Sequence, residues 1–130
     1  MGTLEDVAAW IAACQGAAPA QPLDAARLII VASEHGVATA HPEVSALPAD
    51  FTAQVRQELA RAQAPVVDAC RAARVSLSIV DATLGKPSGP IDTADALTPE
   101  EYDKHLARGM RFADEEADKG TAVLLLGDLG

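Results

Sequence analysis

Leu28-Ile29-Ile30-Val31-Ala32-Ser33-Glu34-His35-Gly36 is the stretch on which the fold turns: five apolar residues without polar alternation, then a polar turn and a glycine. A run of that kind suits a strand covered on both faces, as strands of a parallel sheet are. Two more apolar runs stand downstream, Val75-Ser76-Leu77-Ser78-Ile79-Val80 and Thr121-Ala122-Val123-Leu124-Leu125-Leu126. Helical patterns separate the three. Phe51, Val55, Leu59 and Ala62 follow helical spacing after Asp50, a candidate cap, and Pro65 opens a second helical stretch through Val66, Val67 and Cys70 to Ala73. Thr98-Pro99-Glu100-Glu101 carries a capping Thr, Pro at the first helical position and a Glu placed to return the capping bond. This helix is expected to run to Lys119, with Tyr102, Leu106, Met110, Ala113 and Ala117 facing inward and Gly120 as its stop.

Working outward to the amino terminus, Thr3 is a candidate cap with Asp6 three residues on, and Leu4, Val7, Ala8 and Ile11 recur on one face as far as Gly16. Such an amphipathic helix requires a partner surface. The Pro-broken segment 17–22 and the Gly/Pro-rich segment 85–90 read as connectors. Helical connections between apolar strands give an α/β fold: a small Rossmann-like three-layer domain with a short parallel sheet and helices on both faces. Residues 1–130 are read as one domain, since a chain of this length buries roughly two-thirds of its unfolded surface. A three-stranded sheet leaves two open edges, so self-association is expected.

Composition narrows the function classes. A formal net charge of -9 argues against nucleic acid and anionic membranes, both of which require a basic surface. No stretch approaches a membrane span, and the acidic start Met1-Gly2-Thr3-Leu4-Glu5-Asp6 is unlike a signal peptide, so a cytoplasmic location is expected. Cys14 and Cys70 fall in Ala-rich helical patterns and read as small buried thiols. His105 reads as solvated, and so does the acidic run Asp114-Glu115-Glu116.

Polar residues gather where the strands end: Ser33, Glu34 and His35 after the first, Asp81 after the second, and Asp128 between two glycines after the third. Ligands of open α/β sheets sit at such strand ends. A carboxylate and an imidazole there suit general-base work or the fixing of a heterocycle; alternatively Glu34 and His35 are turn residues bonded to local backbone. Glu34, His35, His41 and Glu43 match no metal-ligand spacing, so neither a metal nor a cofactor is expected. The last strand runs into Gly127-Asp128-Leu129-Gly130 with no helix after it. Function is therefore expected to be finished by another chain, or the domain has kept a scaffold and lost part of its site.

In order, several blocks resemble the amino-terminal half of the nicotinate-nucleotide:dimethylbenzimidazole phosphoribosyltransferase family, which makes the lower-ligand nucleotide of cobalamin. They are residues 4–12, then 27–37 where the family has a strand followed by Asp-His-Gly-Val, then Ser45-Ala46-Leu47-Pro48 and Thr52-Ala53-Gln54-Val55 for its Ser-Ala-Tyr-Pro and Thr-Ala-Gln-Met. Leu124-Leu125-Leu126-Gly127-Asp128-Leu129-Gly130 is similar to the strand leading into Gly-Glu-Met-Gly. The resemblance implies a Rossmann-like homodimer with its base pocket and phosphate site at strand ends. It places Ser45, Leu47 and Gln54 in the benzimidazole pocket, Glu34 and His35 near the substrate, and Asp128 at the acidic, catalytic position. Departures are Leu47 in place of an aromatic, Asp128 in place of Glu, and Ala62-Gln63-Ala64-Pro65-Val66-Val67 where the family has Gly-Gly-Ala-Ala-Ile-Asn. The family's Gly-Asn-Thr phosphate loop and general-base carboxylate fall past Gly130. Two functions follow as expectations. One is a partial phosphoribosyltransferase, inactive alone or completed by another chain. The other is a noncatalytic module that binds a small aromatic heterocycle or a protein partner.

Overall fold

The computed structural model describes residues 2–130. Its elements are α1 (Thr3–Gln15), β1 (Ala26–Ala32), α2 (Gly36–Ala40), a 3₁₀ turn (Pro42–Val44), α3 (Phe51–Ala60), α4 (Pro65–Ala73), β2 (Ser76–Asp81), α5 (Pro99–Asp118) and β3 (Val123–Leu129). The strands form a parallel sheet in the order β2-β1-β3. Ile30 stands opposite Ile79 on one side and Gly127 on the other, so β1 takes the central position. Ladder pairing continues past the strand ends, with the Ser33 N–H donating to the Leu129 carbonyl and the Ala82 N–H to the Ala32 carbonyl, both at 2.8 Å.

Side chains alternate across a strand, so Leu28 and Ile30 share one face and Arg27 and Ile29 the other. The first face carries the core: Ile30, Leu59 and Ala64 are buried, and Leu28, Val55, Val66, Val67, Leu77, Ile79 and Leu129 pack against them. These residues bring α3 and α4 onto that face. The α5 helix reaches the opposite face through Glu116, whose carboxylate lies 2.5 Å from Arg27 Nε. Connections leaving β1 and β2 therefore depart to opposite faces, the arrangement that opens a crevice at their carboxyl ends.

Coverage is less complete than the apolar runs imply. Leu124 and Leu125 on β3 are exposed and Leu126 retains 78% of its accessible area, so β3 lacks the two-sided cover that β1 has. No residue of α1 is fully buried: Ile11 and Ala12 are half-buried, while Leu4 is 84% exposed and Trp10 67%. Its amino-terminal cap is Gly2 rather than Thr3: the Glu5 carboxylate returns to the Gly2 N–H at 2.6 Å, so Glu5 and not Asp6 closes the turn. Gly16 ends that helix in the left-handed region at φ 62°, where an L side chain is disfavoured. Thr98 and Glu101 form the expected capping box.

On α5 the inner face differs from the one that periodicity marks. Tyr102, Leu106 and Met110 are exposed, while Glu116, assigned by its acidic neighbours to solvent, is 1% exposed. Specific partners outweigh the apolar stripe here. Lys119 Nζ and Thr121 Oγ1 donate to Glu116 at 2.9 and 2.8 Å, and with Arg27 they satisfy a carboxylate that is otherwise costly to bury. The Lys119 bond, foremost, holds the Glu116 pKa below the usual range. Cys70 is buried as expected, but Cys14 is exposed on the uncovered α1.

Candidate functional site

The polar turn after β1 is fastened to the segment after β2 by its own backbone. The Glu34 N–H donates to Thr83 Oγ1 at 3.0 Å, and the Thr83 hydroxyl and Ser88 N–H donate to the Glu34 carbonyl at 2.9 and 3.0 Å. The Glu34 carboxylate accepts from the Gly85 N–H at 2.9 Å. Gly36 allows the two segments to touch: a Cβ at this position would sit 2.1 Å from the Ser88 carbonyl oxygen. Glu34 is thus bonded to backbone, as one reading of the turn expects, but to a segment distant in the chain.

Beside this junction lies a cavity of about 190 Å³. Glu34 and His35 border it from the end of β1, Ser45 and Leu47 from the segment before α3, and Phe51 and Thr52 from the first turn of α3. Pro87 and Gly130 close its sides. The Gly130 backbone lies against the His35 ring; a Cβ there would come within 2.5 Å of Nε2. Ser45 Oγ accepts the Leu47 N–H at 3.1 Å, a short side-chain-to-backbone turn that presents Leu47 at the rim. Small-molecule sites have this makeup, apolar and aromatic walls with a few directed polar groups.

Four of the six residues singled out from sequence, Glu34, His35, Ser45 and Leu47, therefore line one cavity. Gln54 does not line it, and its amide donates to Asp50 Oδ2 at 2.5 Å. Asp128 is exposed on β3, in register with Val31 and on the sheet face opposite Gly127 and Leu129. Asp81 is occupied elsewhere: Arg56 grips its carboxylate at 2.6 and 3.1 Å and holds its pKa below the usual range, and Arg108 Nη1 donates to its carbonyl at 2.8 Å. His41 lies between Asp92 Oδ2 at 3.0 Å and Glu43 Oε1 at 3.3 Å. The sequence reading missed Phe51 in the cavity lining, because it used this residue only as the start of a helical spacing pattern.

A family model described as phosphoribosyltransferase matches residues 1–130. The chain belongs to this family. Among curated phosphoribosyltransferases, the nicotinate-nucleotide–dimethylbenzimidazole phosphoribosyltransferase of Corynebacterium efficiens is 39% identical over 140 residues, covering 100% of this chain and 38% of that protein. The protein of the same name from Mycobacterium avium is 35% identical over 144 residues, covering 100% of this chain and 41% of its own length. The solved structure of CobT from Thermus thermophilus superposes with a TM-score of 0.88 at 27% identity, over 99% of this chain and 42% of that one. The chain therefore spans about two-fifths of the length of these phosphoribosyltransferases. The superposition bears out the α/β class and the short parallel sheet. Among the described residues, no helix is long and apolar enough to cross a membrane.

Proposed function

We propose that this chain supplies the base-binding part of a nicotinate-nucleotide:dimethylbenzimidazole phosphoribosyltransferase, acting in the cytoplasm on the nucleotide loop of cobalamin. The observation that carries the reading is the cavity in which Phe51 and Leu47 offer apolar walls and Glu34, His35 and Ser45 offer polar groups. A flat benzimidazole is matched by an aromatic wall, and Phe51 supplies the ring that Leu47, standing for the family's Tyr, does not. In the transfer, the bond from C1′ of the ribose to the nicotinate nitrogen breaks and one from C1′ to a benzimidazole nitrogen forms. Nicotinate leaves, and the azole proton passes to a base. His35 and Glu34 are the cavity-lining groups that could take this proton, the Glu34 carboxylate sharing the Gly85 N–H, and Asp128, two residues before the Gly130 wall, takes the acidic position that the resemblance assigns. Gln54 is kept as an accessory contact on the strength of the resemblance alone, since it lies off the cavity and bonds to Asp50.

The 130 residues by themselves are expected to bind dimethylbenzimidazole without turnover, because holding and aligning the sugar phosphate contributes much of the rate in such a transfer. A second copy or a complementary chain would cover the exposed apolar faces of α1 and β3. Calorimetric titration with dimethylbenzimidazole, alongside incubation with nicotinate mononucleotide and assay for α-ribazole phosphate, tests the reading. Saturable base binding without product is the expected result. Absence of binding removes the proposal, and turnover abolished by Asp128→Asn would show that these residues carry their own catalysis. Sedimentation at micromolar concentration checks the assembly, with a lone monomer as the contrary result.

A further inference from the structure

A second recess of about 330 Å³ opens on the other side of the segment after β2, between that segment and the amino-terminal half of α5. It is cationic in a chain of formal charge -9. Lys104 and Arg108 stand four residues apart on α5, with His105 beside them, and Lys86 faces them from the loop. Glu101 is the one carboxylate in the lining, and both its oxygens are engaged: Oε1 accepts Lys86 Nζ at 2.5 Å and Oε2 the Thr98 N–H at 3.0 Å. It offsets Lys86 and leaves the charges of Lys104 and Arg108. Arg108 is anchored by Nη1 on the backbone carbonyl of Asp81, and although its charge also acts on the Asp81 carboxylate, that carboxylate takes its hydrogen bonds from Arg56.

We propose that this recess binds a phosphate-class dianion, free or as a phosphomonoester, on Lys104 and Arg108 with Lys86 at the rim. A guanidinium already held by a neutral acceptor presents its remaining donors without first being ordered, and forked N–H groups match phosphate oxygens. Lys104 adds a mobile point charge on the same helix face. The site is separate from the base cavity and shares with it only the Pro87 wall, so it stands whether or not a base binds next door.

Amide chemical shifts of the ¹⁵N-labelled chain, titrated with sodium phosphate at ionic strength held constant with sodium chloride, test the proposal. A second arm uses ribose 5-phosphate. Saturable shifts confined to residues 83–89 and 101–108 are expected, with affinity falling about tenfold in Lys104→Ala, an exposed helical position where Ala preserves the fold. Saturation by phosphate alone would identify the free ion as ligand, and saturation by both a phosphomonoester site. Shifts that never saturate, that match the chloride control, or that persist unchanged in Lys104→Ala overturn it.

Discussion

The two recesses at the strand ends share the Pro87 wall yet are built by different means. The smaller one is shaped by backbone contact, with Gly36 against residues 88–90 and Glu34 bonded to residues 83–88. The larger one is shaped by charged side chains on α5 and the loop, tied through Lys86–Glu101 and Arg108–Asp81. The difference teaches which kind of change each tolerates: the apolar cavity is sensitive to a single added methyl group, the cationic recess to a single lost charge.

Gly36→Ala attacks the shared frame and carries the largest expected effect. Its Cβ meets backbone atoms at 2.1 and 2.9 Å, and backbone cannot step aside as a flexible side chain does. A loss of about 2–3 kcal/mol by chemical denaturation is expected, with base and phosphate binding lost together. A change within about 0.5 kcal/mol would mean that residues 88–90 yield freely and would erase the contrast between the recesses.

Phe51→Ala separates the two recesses by ligand. Dimethylbenzimidazole affinity is expected to fall about five- to tenfold, as the loss of a stacking ring implies, while phosphate affinity stays unchanged. Calorimetry on the same sample reads both.

Asp81→Asn tests the tie between α3 and β2. With the Asp81 side chain 45% exposed, screening limits the loss to about 0.5–1 kcal/mol at neutral pH. Arg56 lowers the folded-state pKa of Asp81, so this stabilisation is full above the unfolded carboxylate pKa and disappears as pH falls through the folded value. Denaturation midpoints of the two proteins should therefore converge in acid; a gap that widens on acidification would contradict the pairing.

The smallest effect belongs to Lys86→Ala. Bonded first to Lys86 and then to the Thr98 N–H, Glu101 is held at about 2. Removing Lys86 should raise that value toward the ordinary carboxylate range in a carbon-detected NMR titration and leave base binding intact. An unmoved Glu101 would show that the helix cap alone sets it.

The strands were legible as short apolar or β-branched runs bounded by helical patterns and turns, and β1 at Ala26–Ala32 lies within two residues of its sequence reading. Proline at a first helical position located α4 at Pro65–Ala73 and α5 from Pro99 without error. Coverage was not legible. Leu126 and Ile30 look alike in sequence, but only Ile30 finds α3 and α4 above it, and a strand's apolarity does not say what lies over it. Periodicity likewise marked the apolar stripe of α5, whereas polar partners distant in the chain, Arg27 by an ion pair to Glu116 and the Asp81 carbonyl by a hydrogen bond from Arg108, hold the face that docks. The short α2 helix escaped notice because five residues carry too little periodic signal.

Within the site, the strand-end position led to Glu34 and His35, and the order of the family blocks to Ser45 and Leu47, whose spacing alone points to nothing. Gln54 and Asp128 share those blocks but lie off the cavity, because residues adjacent on a helix or strand diverge in direction by about 100° or 180°. Phe51 was hidden because an apolar residue in helical spacing does not reveal whether it packs in the core or, as here, borders a cavity. The cationic recess had no sequence signature, since Lys86 and Lys104 come from segments joined only by the fold.

The most direct test of the central claim is an intermolecular NOE experiment on the 130-residue chain with dimethylbenzimidazole, reading contacts from the two ring methyl groups. The expected result is a set of NOEs to the Phe51 ring, the Leu47 methyl groups and the Thr52 methyl group, absent when the base is omitted. NOEs at saturation that instead reach the exposed leucines of β3 or the apolar face of α1, with none to Phe51, would contradict the base-binding role assigned to the cavity.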